Sequence, residues 1–181
     1  MKQSLFKWGI APLVACTLLV PAPIRAQAVR NIKATGLFLE EVVPGIVCIS
    51  DRGHVSLKGE VHIVRMVSDE PRVAGQMRGV NLDVSLKPDG TGTFSGIGWL
   101  EVGIWDLTVP QNPKFTRTDG VWETKYEGII NADGSTEYRI TAFGIGGTID
   151  GLRLIVTGTR ASSSPADPYL FSGKITAVGR D

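Results

Sequence analysis

The chain has 181 residues, of which 43% are apolar and 20% charged, with 22 glycines and a formal net charge of +1. That apolar fraction and near-neutral charge exclude a disordered chain. Glycine without a three-residue period excludes a collagen-like repeat, and at this density it argues against a helical bundle, since each helical glycine costs roughly 1 kcal/mol against alanine.

Residues 1–28 read as an export signal: Lys2 and Lys7 open it, an apolar stretch runs from Trp8 to Pro23, and Ala26-Gln27-Ala28 is an A-x-A cleavage pattern. The stretch is shorter than the ~20 residues of a spanning helix. The alternative is a lipoprotein, because Leu13-Val14-Ala15-Cys16 resembles a lipobox and would make Cys16 an acylated first residue. Either route places the protein in the periplasm or outside the cell. Without the leader, 16 Lys and Arg face 18 Asp and Glu, a net charge of −2. Such a chain has no basic stripe for nucleic acid, no basic tract for anionic lipid, and no segment for stable membrane insertion. Cys48 is then a lone thiol in the apolar run Ile46–Ile49, expected to be a small buried hydrophobe.

From Val29 onward, period-two alternation predominates. A short apolar strand is predicted at 45–50. The next, near 54–66, puts Val55, Leu57, Val61 and Ile63 on one face and Ser56, Lys58, Glu60 and His62 on the other. Then Val80, Leu82, Val84 and Leu86 face one way, against Asn81, Asp83 and Ser85. Further strands are predicted near 91–104, 121–130, 135–145, 152–159 and 169–178, about eight in all. Lys87-Pro88-Asp89-Gly90, Asn131-Ala132-Asp133-Gly134 and Ile149-Asp150-Gly151-Leu152 carry turn chemistry. Residues 105–120 read as a long loop over one barrel mouth, and 160–168 as a second, flexible loop. Short connections make neighbours antiparallel. Glycines within strands, Gly96, Gly98 and Gly128 among them, suggest the bulges and bends of a closed barrel, or else close packing against an aromatic such as Trp99, Trp105 or Trp122. The expectation is all-β: one antiparallel barrel of about eight strands over residues 29–181.

No P-loop, nucleophile elbow or HExxH motif is present. The two histidines, His54 and His62, sit roughly 26 Å apart on a straight strand at ~3.3 Å per residue, so they cannot share a metal, and no metal or cofactor is expected. Glu60 and His62 point to the same side, either as part of an exposed polar face or as an acid–base pair. In Ser68-Asp69-Glu70-Pro71-Arg72, Asp69 is expected to cap a turn and pair with Arg72. Arg78 shares the face of Val80 and Leu82; in a hollow barrel it would be placed to hold an anionic ligand. Arg78, His62 and Glu60 are the candidate ligand-binding residues, and no catalytic residue is assigned.

His62 and Arg65, Ser68-Asp69-x-Pro71-Arg72-Val73-x-Gly75, Asn81, Asp89-Gly90-Thr91-Gly92, Gly96, Gly120-Val121-Trp122-Glu123, Gly128, Gly144-x-Gly146-Gly147 and Asp150-Gly151-Leu152 together resemble a group of uncharacterised secreted bacterial proteins, over about 60 to 178. The glycine-rich hairpins also resemble the small eight-stranded barrels of the allene oxide cyclase and dirigent type. That resemblance implies an antiparallel barrel with an apolar pocket, often trimeric, and transfers no catalytic position. The resulting expectation is an exported barrel binding a small apolar or amphipathic molecule, with homo-oligomers as a compatible assembly. The alternatives are a cyclase- or isomerase-like enzyme, and a solid structural or interaction module.

Overall fold

Alternation of inward and outward side chains closes the chain into a ring of eight antiparallel strands. The computed structural model describes residues 29–109 and 113–178. The predicted leader, with Cys16, lies outside the described residues. The strands are β1 (Arg30–Val43), β2 (Ile46–Ile49), β3 (Val55–Lys58), β4 (Glu60–Ser68), β5 (Gly75–Leu86), β6 (Gly92–Asp106), β7 (Lys114–Ile130), β8 (Thr136–Ile145), β9 (Leu152–Arg160) and β10 (Tyr169–Ala177). Neighbours run β1-β10-β9-β8-β7-β6-β5-β4, and β4 returns to β1, so the barrel is closed. Past Gly59, β3 continues the line of β4 along β5, pairing Val55–Leu57 with Val84–Leu86, and β2 pairs with β3 as an outer hairpin that extends beyond the rim.

The strand count matches the expectation, but the membership differs. The predicted strand at 45–50 lies in the outer hairpin, and the ring is completed by β1, which the alternation analysis passed over. The strand expected at 54–66 is two strands, broken at Gly59, whose φ of +76° is left-handed. The expected loop at 105–120 is largely strand: β6 and β7 extend past the barrel wall, with Trp105 packed on Phe115 at 5.3 Å. That extension lies at the end where the termini of the barrel meet, opposite the loop at 161–168.

The two halves of the interior differ. At the terminal end, Trp122, Ile149 and Val73 are fully enclosed, packed with Ile32, Leu100, Val102 and Leu154. Trp122 Nε1 donates to the Arg72 carbonyl at 2.6 Å, tying the short turn Pro71–Val73 across the barrel floor. The residue that pairs with Arg72 is Glu70 rather than Asp69. The buried Glu70 carboxylate accepts from Arg72 Nε at 2.7 Å and Nη2 at 3.2 Å and meets Arg30 Nε at 2.9 Å. The hydrogen bonds from Arg72 hold the Glu70 carboxyl below its usual range.

The opposite rim is made by tight hairpins of one design. Asp89 Oδ1 accepts from Thr91 N at 2.9 Å, and Asp133 Oδ1 from Ser135 N at the same distance, each turn ending on a glycine with φ near +80°. Beside this rim stands β2, with Ile46 and Ile49 each 71% exposed. Cys48 is exposed there, contrary to the expected burial, because β2 adds to a sheet edge rather than entering the core.

Candidate functional site

The rim half of the barrel is hollow. A cavity of about 210 Å³ is lined by Leu57, Val84, Phe94, Ile130, Tyr138 and Phe171 among its apolar walls, and by Glu60, His62, Asn81, Tyr126, Arg160 and Tyr169. The space exists because the aromatic rings lie over glycines of neighbouring strands instead of filling the axis. A Cβ on Gly96 would stand 2.2 Å from Tyr126 Cζ, and one on Gly128 would stand 2.4 Å from Phe94 Cζ. Close packing against aromatics is therefore the reason for these glycines, with Tyr126 and Phe94 in place of the tryptophans expected.

Two phase shifts decide which polar residues enter. Gly59 shifts the alternation, so Leu57 and then Glu60, His62 and Val64 all line the cavity, while Val61 and Ile63 leave its wall, Ile63 still buried. A bulge between Asn81 and Asp83 does the same on β5, bringing Asn81 and Val84 to the cavity and exposing Leu82. Arg78 is thereby corrected: it lies on the outer surface, beside Gln76, Trp99 and Glu101, and does not reach the interior. Glu60 and His62 are brought together in the cavity wall, not on an exposed face. His54 stands in the exposed outer hairpin.

Inside, Tyr126 Oη donates to Asn81 Oδ1 at 2.8 Å, and Asn81 Nδ2 donates to Glu60 Oε2. This chain fixes one carboxylate oxygen against the wall. Burial, then the Glu60 charge, hold the Tyr126 phenol well above its ordinary range, so it remains a donor. His62 stacks near Phe38, with ring centroids 6.4 Å apart. Burial lowers its pKa, opposed by Glu60 and assisted by Arg160. The imidazole is thus neutral at neutral pH, offering one donor and one acceptor.

On the far wall, Arg160 ends β9. Its Nε donates to the Asp167 carbonyl at 3.1 Å, Nη1 to Tyr169 Oη at 3.0 Å, and Nη2 to the Ser164 carbonyl. The guanidinium lies 4.5 Å from the Tyr169 ring centre. Arg160, Tyr126 and Tyr169 are site residues the sequence analysis missed. The signal was there for Arg160, which continues the inward series Leu152, Leu154, Val156, but it was assigned to the following loop. Among the described residues, no group of three or more His, Cys, Asp or Glu is placed to hold a metal ion.

The lowered pKa of His62 gives a sign for pH dependence. Below its ordinary value of 6.5, the unfolded chain takes up a proton that folded His62 refuses, so stability falls as pH falls through that value and levels once folded His62 also protonates. Glu70 acts only below its ordinary 4.5. Urea midpoints measured from about pH 8 to about pH 5 are expected to decline in the wild type and to flatten in His62→Asn. An equal decline in the variant would show that His62 is not the group responsible.

No protein-family model matches the chain, and neither a curated protein nor a solved structure is found to resemble it.

Proposed function

We propose that this chain is an exported binding protein that holds one small apolar or amphipathic molecule in the rim half of its barrel. The observation that carries the reading is the contrast within one barrel: a floor closed by Trp122, Ile149 and Val73, and above it an open cavity of about 210 Å³. Eight-stranded barrels are just wide enough either to pack solid or to take one small ligand. Here the wall is mostly apolar, with a few convergent polar groups, which is the composition of a small-molecule site. The polar groups are held by the wall itself, as the Tyr126–Asn81–Glu60 chain illustrates, so little reorganisation accompanies binding.

The neutral fluorophore N-phenyl-1-naphthylamine tests this reading. It is expected to bind the wild type with saturable enhancement. Ile140→Trp, which fills the cavity floor, is expected to abolish that binding while the protein still melts cooperatively. Equal binding by both proteins would refute the proposal.

One observation favours a second reading, a cyclase- or isomerase-like enzyme. Glu60 and a neutral His62 face the same cavity, where a carboxylate and an imidazole can exchange protons with a bound substrate.

A further inference from the structure

We propose that the ligand is an amphipathic organic anion, whose charged head is held by Arg160 at the rim while its apolar body lies among Phe94, Tyr138 and Phe171. The inference rests on the binding reading above and adds the ligand's chemical class.

Arg160 is a cation built into a mostly apolar wall, half-buried and permanently charged. Among the described residues no carboxylate forms an ion pair with it; the ion pairs there are Arg30–Glu70, Lys58–Asp83 and Arg72–Glu70. The two acids best placed to neutralise it are engaged elsewhere. Asp167 offers Arg160 its carbonyl oxygen, while its carboxylate accepts from Ser162 Oγ. Glu60 lines the same cavity, but its carboxylate takes the Asn81 amide and forms no ion pair with Arg160. A half-buried charge without a counter-ion is less well satisfied than a paired one, and a ligand that supplies the counter-ion completes it.

The guanidinium is also pre-positioned. Three of its five N–H donors are committed to neutral oxygens of the 161–168 loop and Tyr169, and the Tyr169 ring lies 4.5 Å from it. Two donors are left for a ligand, and hydrogen bonds from a guanidinium to an anion are roughly twice as strong as those to a neutral acceptor. The other charge in the wall, Glu60, is held by Asn81, so the two free donors of Arg160 select a molecule with a single negative end at the mouth and an apolar remainder.

A pair of probes sharing one ring skeleton separates the charge from the apolar body: 8-anilinonaphthalene-1-sulfonate, an anion, and the neutral N-phenyl-1-naphthylamine. In the wild type the anion is expected to bind more tightly. Arg160→Gln is expected to lower the ratio of anion to neutral-probe affinity by about tenfold or more. Arg160→Lys keeps the charge without the fork; it is expected to retain a preference for the anion, and it decides the matter if the glutamine variant does not fold. An unchanged ratio of the two affinities in Arg160→Gln, or loss of both probes together in a variant that still melts cooperatively, would overturn the inference while leaving the binding reading standing. If the wild type binds neither probe, the binding reading itself falls and this inference falls with it.

Discussion

Replacement of Trp122 by alanine is expected to cost about 3–5 kcal/mol, enough to lower the melting temperature by roughly 10–20 °C. The indole is fully enclosed and stands at the centre of the packed half of the barrel. Its removal leaves a cavity that the surrounding strands cannot collapse into, because each is fixed by two neighbours in a closed ring. It also removes the donor to the Arg72 carbonyl, leaving the Pro71–Val73 turn without its tie to β7. Trp122→Phe separates the two effects: it restores most of the volume but not the donor, and is expected to cost about 1–3 kcal/mol. Urea unfolding of the two variants reads both numbers. A loss below about 1 kcal/mol for Trp122→Ala would mean that the floor is not the packed element described here.

Gly96→Val is the second large effect, and it links stability to the site. A Cβ at this position would stand 2.3 Å from Tyr126 Oη and 2.4 Å from the Val80 carbonyl oxygen. The first of these belongs to a ring, the second to backbone, so rotation of a side chain alone cannot relieve the crowding. Overpacking of this kind costs typically 1–3 kcal/mol, and involvement of backbone places the expected loss at about 3 kcal/mol or above. Displacement of Tyr126 also breaks its hydrogen bond to Asn81 and with it the anchoring of Glu60. Binding of the neutral fluorophore should therefore weaken under conditions where the variant is still folded. Ser95→Ala, one residue away on the outer face, is the control and should change stability by less than about 0.5 kcal/mol.

The all-β class and the antiparallel barrel were legible in the sequence because alternation and turn chemistry are local. The hairpins at Asp89-Gly90 and Asp133-Gly134 form where the residues require them. The inward faces were less legible, because alternation predicts a face only until a bulge intervenes. Gly59 and the Asn81/Asp83 bulge each invert the phase once. A reading that carried the phase through placed Arg78 with the interior and left Glu60 and His62 beside solvent. Strand β1 escaped notice for a related reason. Its inward series Ile32, Ala34, Gly36 includes two small residues, as needed where Phe171 and Val64 press against Gly36, and small residues give a weak periodic signal. The exposure of Cys48 has no local cause. It depends on β2 joining the sheet at an edge, a long-range pairing that alternation cannot reveal.

The hollow rim half is the claim on which the functional account stands, and the exposed Ile46, Val47 and Ile49 of the outer hairpin offer a rival apolar surface. A crystal structure of the chain with N-phenyl-1-naphthylamine tests the claim most directly. The account predicts electron density for the fluorophore inside the barrel, against Phe94, Tyr138 and Phe171. Density confined to the outer hairpin, with side chains closing the space above Trp122, would contradict it.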